Sequence, residues 1–198
     1  MNIKNIFINP NQQRLRAGWR LLLQTILMSM LGIVLQAILY FASAVPDSSS
    51  NGLLTFQLLE LFSITTSIFL IRRLFDRRSL VSLGLKFDLQ MLKDLFVGLG
   101  IPALMMGTIY LLEWGFGWLE FQGFAWDIET PTRVISRTIP LLLAFILVGW
   151  NEELLSRGYH LQTLASGLNL FWGVIISSTI FGLLHLTNPH ASWISSIG

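Results

Sequence analysis

Long apolar runs alternate with short polar or charged connectors along all 198 residues of the chain. The first twenty residues are polar and basic, carrying Lys4, Arg14, Arg16 and Arg20, and Leu21 to Val45 then holds no charge. At about 1.5 Å rise per residue, such a run crosses the roughly 30 Å hydrocarbon core of a bilayer with some tilt. It predicts a first membrane span. The stretch before it is too long and too weakly patterned for a cleaved signal peptide, so the helix is expected to be retained. Pro46 to Gly52 is a dense turn signal, and Leu53 to Ile71, interrupted only by Glu60, predicts a second span that forms a hairpin with the first. After a charged connector, Arg72 to Asp94, a third span runs from Leu95 to about Trp118. Its Gly98, Gly100, Pro102 and Gly107 are of the kind membrane helices tolerate where neighbours pack closely. Trp114, Phe116 and Trp118 suit an aromatic belt at its end. Leu119 to Thr138 reads as an outer loop, and a fourth span begins at Ile139. Gly167 to Asn169 separates its end from a fifth, about Leu170 to Leu186. The prediction is an all-α polytopic transmembrane bundle of about five spans, a single helical domain over 21–198 behind an N-terminal tail over 1–20.

Composition agrees with that pattern: 53% of residues are hydrophobic and 12% charged, against about 25% charged in soluble domains. The lipid bilayer is therefore the first expected partner. A net charge of +2 and a pI near 9.3 would fit an acidic partner, yet Lys and Arg sit beside apolar segments. They read as topology signals, and nucleic acid is not implied. The tail and the 72–94 connector are both basic and the loop between them has no Lys or Arg, which predicts a cytoplasmic N-terminus in a cytoplasmic membrane. With no cysteine there is no disulfide framework and no thiolate metal site, so any metal would rest on His, Glu or Asp. The chain shows no internal repeat and no pattern specifying an oligomeric state.

Against this apolar background stands Trp150-Asn151-Glu152-Glu153-Leu154-Leu155-Ser156-Arg157-Gly158. If the fourth span starts at Ile139, Glu152 lies roughly 20 Å along it, inside the bilayer region. A charge at that depth costs about 2.5 to 3.5 kcal/mol on insertion scales and marks a functional site by default. On a regular helix Glu153 and Arg157, four residues apart, share a face and permit an ion pair, with Glu in the favourable N-terminal position. Glu152 is rotated about 100° away, on a stripe with Ser156 and Tyr159, and is free to act as a general base toward water. The plainer reading is a buried charge network that fixes helix packing. On the fifth helix Phe181 and His185 share a face, and the histidine can hydrogen-bond a water, an oxyanion or a metal. Taken alone, His185 reads more readily as a satisfied histidine near an interface.

Two motifs resemble those of the CPBP intramembrane proteases, which include type II CAAX prenyl endopeptidases and bacteriocin-processing or immunity proteins. Glu-Glu-x-x-x-Arg stands as Glu152 to Arg157 and Phe-x-x-x-His as Phe181 to His185. Weaker similarity extends through Leu15 to Arg20 and Ser82 to Leu85. The resemblance implies intramembrane hydrolysis of a peptide bond in a membrane-associated or lipid-modified polypeptide. Glu152 would be the base that activates water, Glu153 and Arg157 would hold it, and His185 would position the water or stabilise the oxyanion. No cofactor is required by that scheme, although Glu152, Glu153 and His185 offer three ligands to a divalent metal such as zinc, one histidine short of the usual set. The family pattern also has a later helix bearing a second His followed four residues on by Asn or Asp. Nothing after His185 supplies it, since His190 follows Pro189 too closely, and the chain reads as a C-terminally truncated member. The alternative is a non-catalytic immunity or regulatory protein that binds a peptide in the same cavity. An ion-coupled carrier using Glu60 and Glu152 as relays comes last, because repeat-related broken helices are missing.

Overall fold

A computed structural model describes residues 4–10, 12–42, 46–186, 188 and 191–194. His190 and the end of the first predicted span, 43–45, lie outside them. After a four-residue helix α1 (Lys4–Phe7), strands β1 (Ile8–Asn9) and β2 (Arg14–Leu15) pair antiparallel, Ile8 opposite Leu15. The remainder is helical: α2 (Ala17–Phe41), α3 (Ser50–Ile71), α4 (Leu89–Gly115), α5 (Ala125–Ile128), α6 (Pro131–Glu152), α7 (Leu161–Gly167) and α8 (Leu170–His185). Among the described residues, four helical stretches are long and apolar enough to cross a membrane, 17–41, 50–76, 89–115 and 131–167. The shorter apolar α8 has 16 residues. This is an all-α polytopic bundle.

The helices begin and end at places that hydropathy alone misjudges. Ser49, Asp88 and Asn169 each accept a hydrogen bond from the backbone N–H three residues on, at 3.1, 2.9 and 3.0 Å, and so satisfy donors that a helix start leaves unpaired. The Asp88 cap starts α4 six residues before the first residue of the predicted third span. Pro131, at the first helical position where its missing N–H costs nothing, starts α6 well inside the predicted outer loop. Asp47, in the loop before α3, is held below the usual carboxylate range by hydrogen bonds from the Ser49 hydroxyl and amide.

The chain forms two compact units, Met1–Gly84 with Arg137–Gly198, and Leu85–Ser136. In the second, no residue of α4 is buried, and aromatic rings cluster beyond its end, Phe116 stacking on Trp118 at 5.2 Å and Phe124 on Trp126 at 4.7 Å. In the first, α2 packs along α3, and α7 packs against both α2 and α8. Small residues allow the α7 contacts: a Cβ built on Gly167 would meet the Ala17 methyl at 2.5 Å, and one on Gly173 would meet Ala165 at 3.0 Å.

Much of what this unit buries is polar. Arg20, expected in the solvated tail as a topology signal, is 2% exposed and ion-paired with Asp76, itself 6% exposed. Arg72 joins them, 3.9 Å from the other Asp76 oxygen, and donates to the Ser79 carbonyl and the Ser82 hydroxyl. Arg20 also donates to Ser166 at 3.1 Å. Because Asp76 partners both arginines, α2 starts before Arg20, and the helix of α3 continues as a π-helical turn, Arg72–Asp76, through the start of the predicted connector.

Candidate active site

The charged motif straddles the end of α6. Through Asn151 and Glu152 the helix is α, and over Glu153–His160 it continues as a π-helix. The i→i+5 bonding of a π-helix widens the turn, and such segments frequently occur at functional sites. The widening also changes which residues share a face. Glu152, Ser156 and His160 line one cavity, whereas Tyr159, expected on the Glu152 stripe, does not line it and is fully buried elsewhere in the unit. Glu153 and Arg157 form an ion pair with each other, both exposed and both away from that cavity.

The cavity has a volume of about 680 Å³ and is bounded by α2, α3, α6 with its π-helical extension, and α8. His185 enters it from the end of α8. Its Nδ1–H donates to the Phe181 carbonyl at 2.8 Å. A carbonyl can only accept, so Nδ1 carries a proton, and it is the Nε2 lone pair that the neutral form of the ring presents. That Nε2 lies 3.5 Å from Glu152 Oε1. The Phe181 ring, 4.4 Å from the imidazole between centroids, packs against its side. A single water about 2.8 Å from each of the two atoms completes a triangle with them. Both side chains remain partly accessible, His185 at 34% and Glu152 at 42%.

His160, Asn151 and Gln57 also line the cavity, and sequence reading did not single them out. His160 hydrogen-bonds Gln24 at 3.4 Å, and Gln24 donates to Ser67 at 3.1 Å. Asn151 donates to the backbone carbonyl of Gln57 at 3.2 Å and to its side-chain oxygen at 3.3 Å. The four-residue spacing Glu152-Ser156-His160 is a signal that could have found the histidine.

The three residues considered as zinc ligands do not form one set, because Glu153 faces away from Glu152 and His185. Among the described residues no group of three or more His, Cys, Asp or Glu could hold a metal ion. What Glu152 and His185 can do together is hold a water and remove its proton.

No curated protein and no solved structure matches the chain. Residues 135–198, which contain both motifs and so Glu152 and His185, match the family model described as Rce1-like, type II CAAX prenyl endopeptidase. Over that segment, which holds the Glu152–His185 contact, the chain is similar to the type II CAAX prenyl endopeptidases.

Proposed function

We propose that the chain is an intramembrane endopeptidase in which Glu152 is the general base and His185 positions the attacking water. The observation that carries this is the 3.5 Å approach of His185 Nε2 to Glu152 Oε1 inside a cavity large enough for a peptide segment. The Nε2 lone pair accepts a hydrogen bond from the water while the Glu152 carboxylate takes its other proton. The hydroxide oxygen adds to the scissile carbonyl carbon. The tetrahedral intermediate then collapses, the C–N bond breaks, and the proton held by Glu152 passes to the leaving nitrogen. Glu153 and Arg157 act at a distance, their ion pair holding the π-helical turn that follows the base. The protein would sit in the cytoplasmic membrane with its basic N-terminal segment cytoplasmic, and its substrate is a membrane-associated or lipid-modified polypeptide.

The test is cleavage of a lipid-anchored, internally quenched peptide by the protein in liposomes made up in H₂¹⁸O. One ¹⁸O is expected in the new carboxyl terminus; an intact peptide, or a product without the label, overturns the proposal. Replacing His185 removes the water's second contact but leaves the base. His185→Ala is accordingly expected to lower kcat by about 10- to 100-fold with a much smaller change in KM, measured on the same peptide.

A further inference from the structure

The wall of the cavity formed by α3 and the end of α6 is not used by the mechanism above. It carries Gln57, Glu60 and Asn151. Gln57 bonds to both neighbours: its side chain hydrogen-bonds the Glu60 carboxylate, and it accepts from Asn151 Nδ2. The orientation of the Asn151 amide is thereby settled, because the Gln57 backbone carbonyl can only accept and the NH₂ group must face it. Asn151 Oδ1 is left without a partner, in a side chain 2% exposed that lines the cavity.

Glu60 is likewise unmatched in charge. The other titratable groups lining the cavity are Glu152, His160 and His185, and no Lys or Arg lines it. Among the described residues Glu60 has no cation to pair with, while Glu152 faces His185. The wall therefore offers a carboxylate answered only by the neutral Gln57 amide and an amide oxygen with no donor, and it has no Lys or Arg beside them. Ionisable groups inside a membrane pair with one another or mark a ligand pathway. A lysine ammonium or arginine guanidinium is donor-rich, has no acceptor, and carries the complementary charge.

We propose that Glu60, with Asn151 beside it, is a specificity subsite that receives a basic side chain of the bound peptide. The substrate class is then a membrane-associated peptide with a Lys or Arg near the segment held between Glu152 and His185. This inference rests on the peptide-binding reading of the cavity, but it is read by binding rather than by cleavage, so the two fail separately.

The probe is a set of fluorescent N-palmitoylated octapeptides that differ at one position, Lys, norleucine or Glu, with that position moved along the peptide. Binding is measured to the full chain in phosphatidylcholine nanodiscs, whose zwitterionic lipid gives the lysine no bulk electrostatic advantage. At the best position the Lys peptide is expected to bind on the order of thirtyfold more tightly than its norleucine counterpart, with the Glu peptide weakest. In Glu60→Gln the Lys-to-norleucine ratio falls toward one, and Glu60→Asp keeps part of it. A wild-type ratio near one at every position, or a ratio unchanged in Glu60→Gln, overturns the subsite. If Glu60→Gln does not fold, the wild-type order of the three peptides and the Glu60→Asp ratio decide it. Equal binding of all three peptides to a chain that nevertheless cleaves them would sink this inference and leave the proposed reaction standing.

Discussion

Glu152→Gln is expected to reduce kcat/KM for cleavage of a lipid-anchored peptide by about 10²- to 10⁴-fold, the range supplied by a positioned general base. Gln keeps the size of the side chain and its hydrogen-bonding capacity, so the cavity retains its shape. What it lacks is the ability to take a proton at the moment the water attacks and to deliver it to the leaving nitrogen. The loss should thus appear in kcat with KM little altered, the pattern of an interaction made in the transition state. Its partner lies on another helix, 3.5 Å away at the end of α8, so Glu152→Asp is also informative. Withdrawing the carboxylate by one methylene opens the water triangle, and only partial recovery is expected. A Glu152→Gln protein that cleaves at the wild-type rate in liposomes would remove the base from the mechanism.

The second large effect is on stability and lies at the buried Arg20, Asp76 and Arg72 cluster. Asp76→Ala is expected to destabilise the protein by about 3 to 5 kcal/mol, because it leaves two buried guanidiniums without a counter-ion. Both arginines are nearly inaccessible, at 2% and 3% exposure, and cannot turn to water without opening the contact between α2, α3 and α7. At 2 to 4 °C per kcal/mol for a chain of this size, the apparent Tm in detergent should fall by roughly 6 to 20 °C. Replacing all three charges together with apolar residues of similar volume should cost much less than the single change, since the cost of a buried pair lies mainly in breaking it. A shift under about 2 °C for Asp76→Ala would show that the cluster is wetter than its burial indicates.

These two sites differ in how visible they were beforehand. Glu152 and His185 could be read from spacing, because charged and imidazole side chains in apolar helices have few other reasons to be there. The middles of the four long helices were legible for the same reason: uninterrupted apolar residues report burial in lipid directly. Their ends were less so. Arg20, Arg72 and Asp76 look like the solvated flanks of spans until their pairing is known, and pairing depends on helices far apart in sequence. Pro131 and Asp88 started helices where a count of apolar residues saw only loop. At the cavity the limit was geometric. The stripe through Glu152 was projected with regular α-helical spacing, which put Tyr159 on it, whereas the widened turn put His160 there instead. Gln57 and Asn151 carried no charge to draw attention, and their importance comes from bonding to each other across α3 and α6.

The π-helical stretch Glu153–His160 has a consequence for how this cavity can change over time. A π turn accommodates one residue more than an α turn, so losing a single residue between Glu153 and His160 would restore regular i→i+4 bonding instead of breaking the helix. The helix beyond the deletion would keep nearly its present facing, because the widened turn is what absorbs the extra residue. Only the side chains inside the turn, between Glu153 and His160, would be re-aimed relative to Glu152. At this helix, then, loss of one residue is a change the fold can absorb, re-aiming the side chains of a single turn while the helix beyond it stays in register.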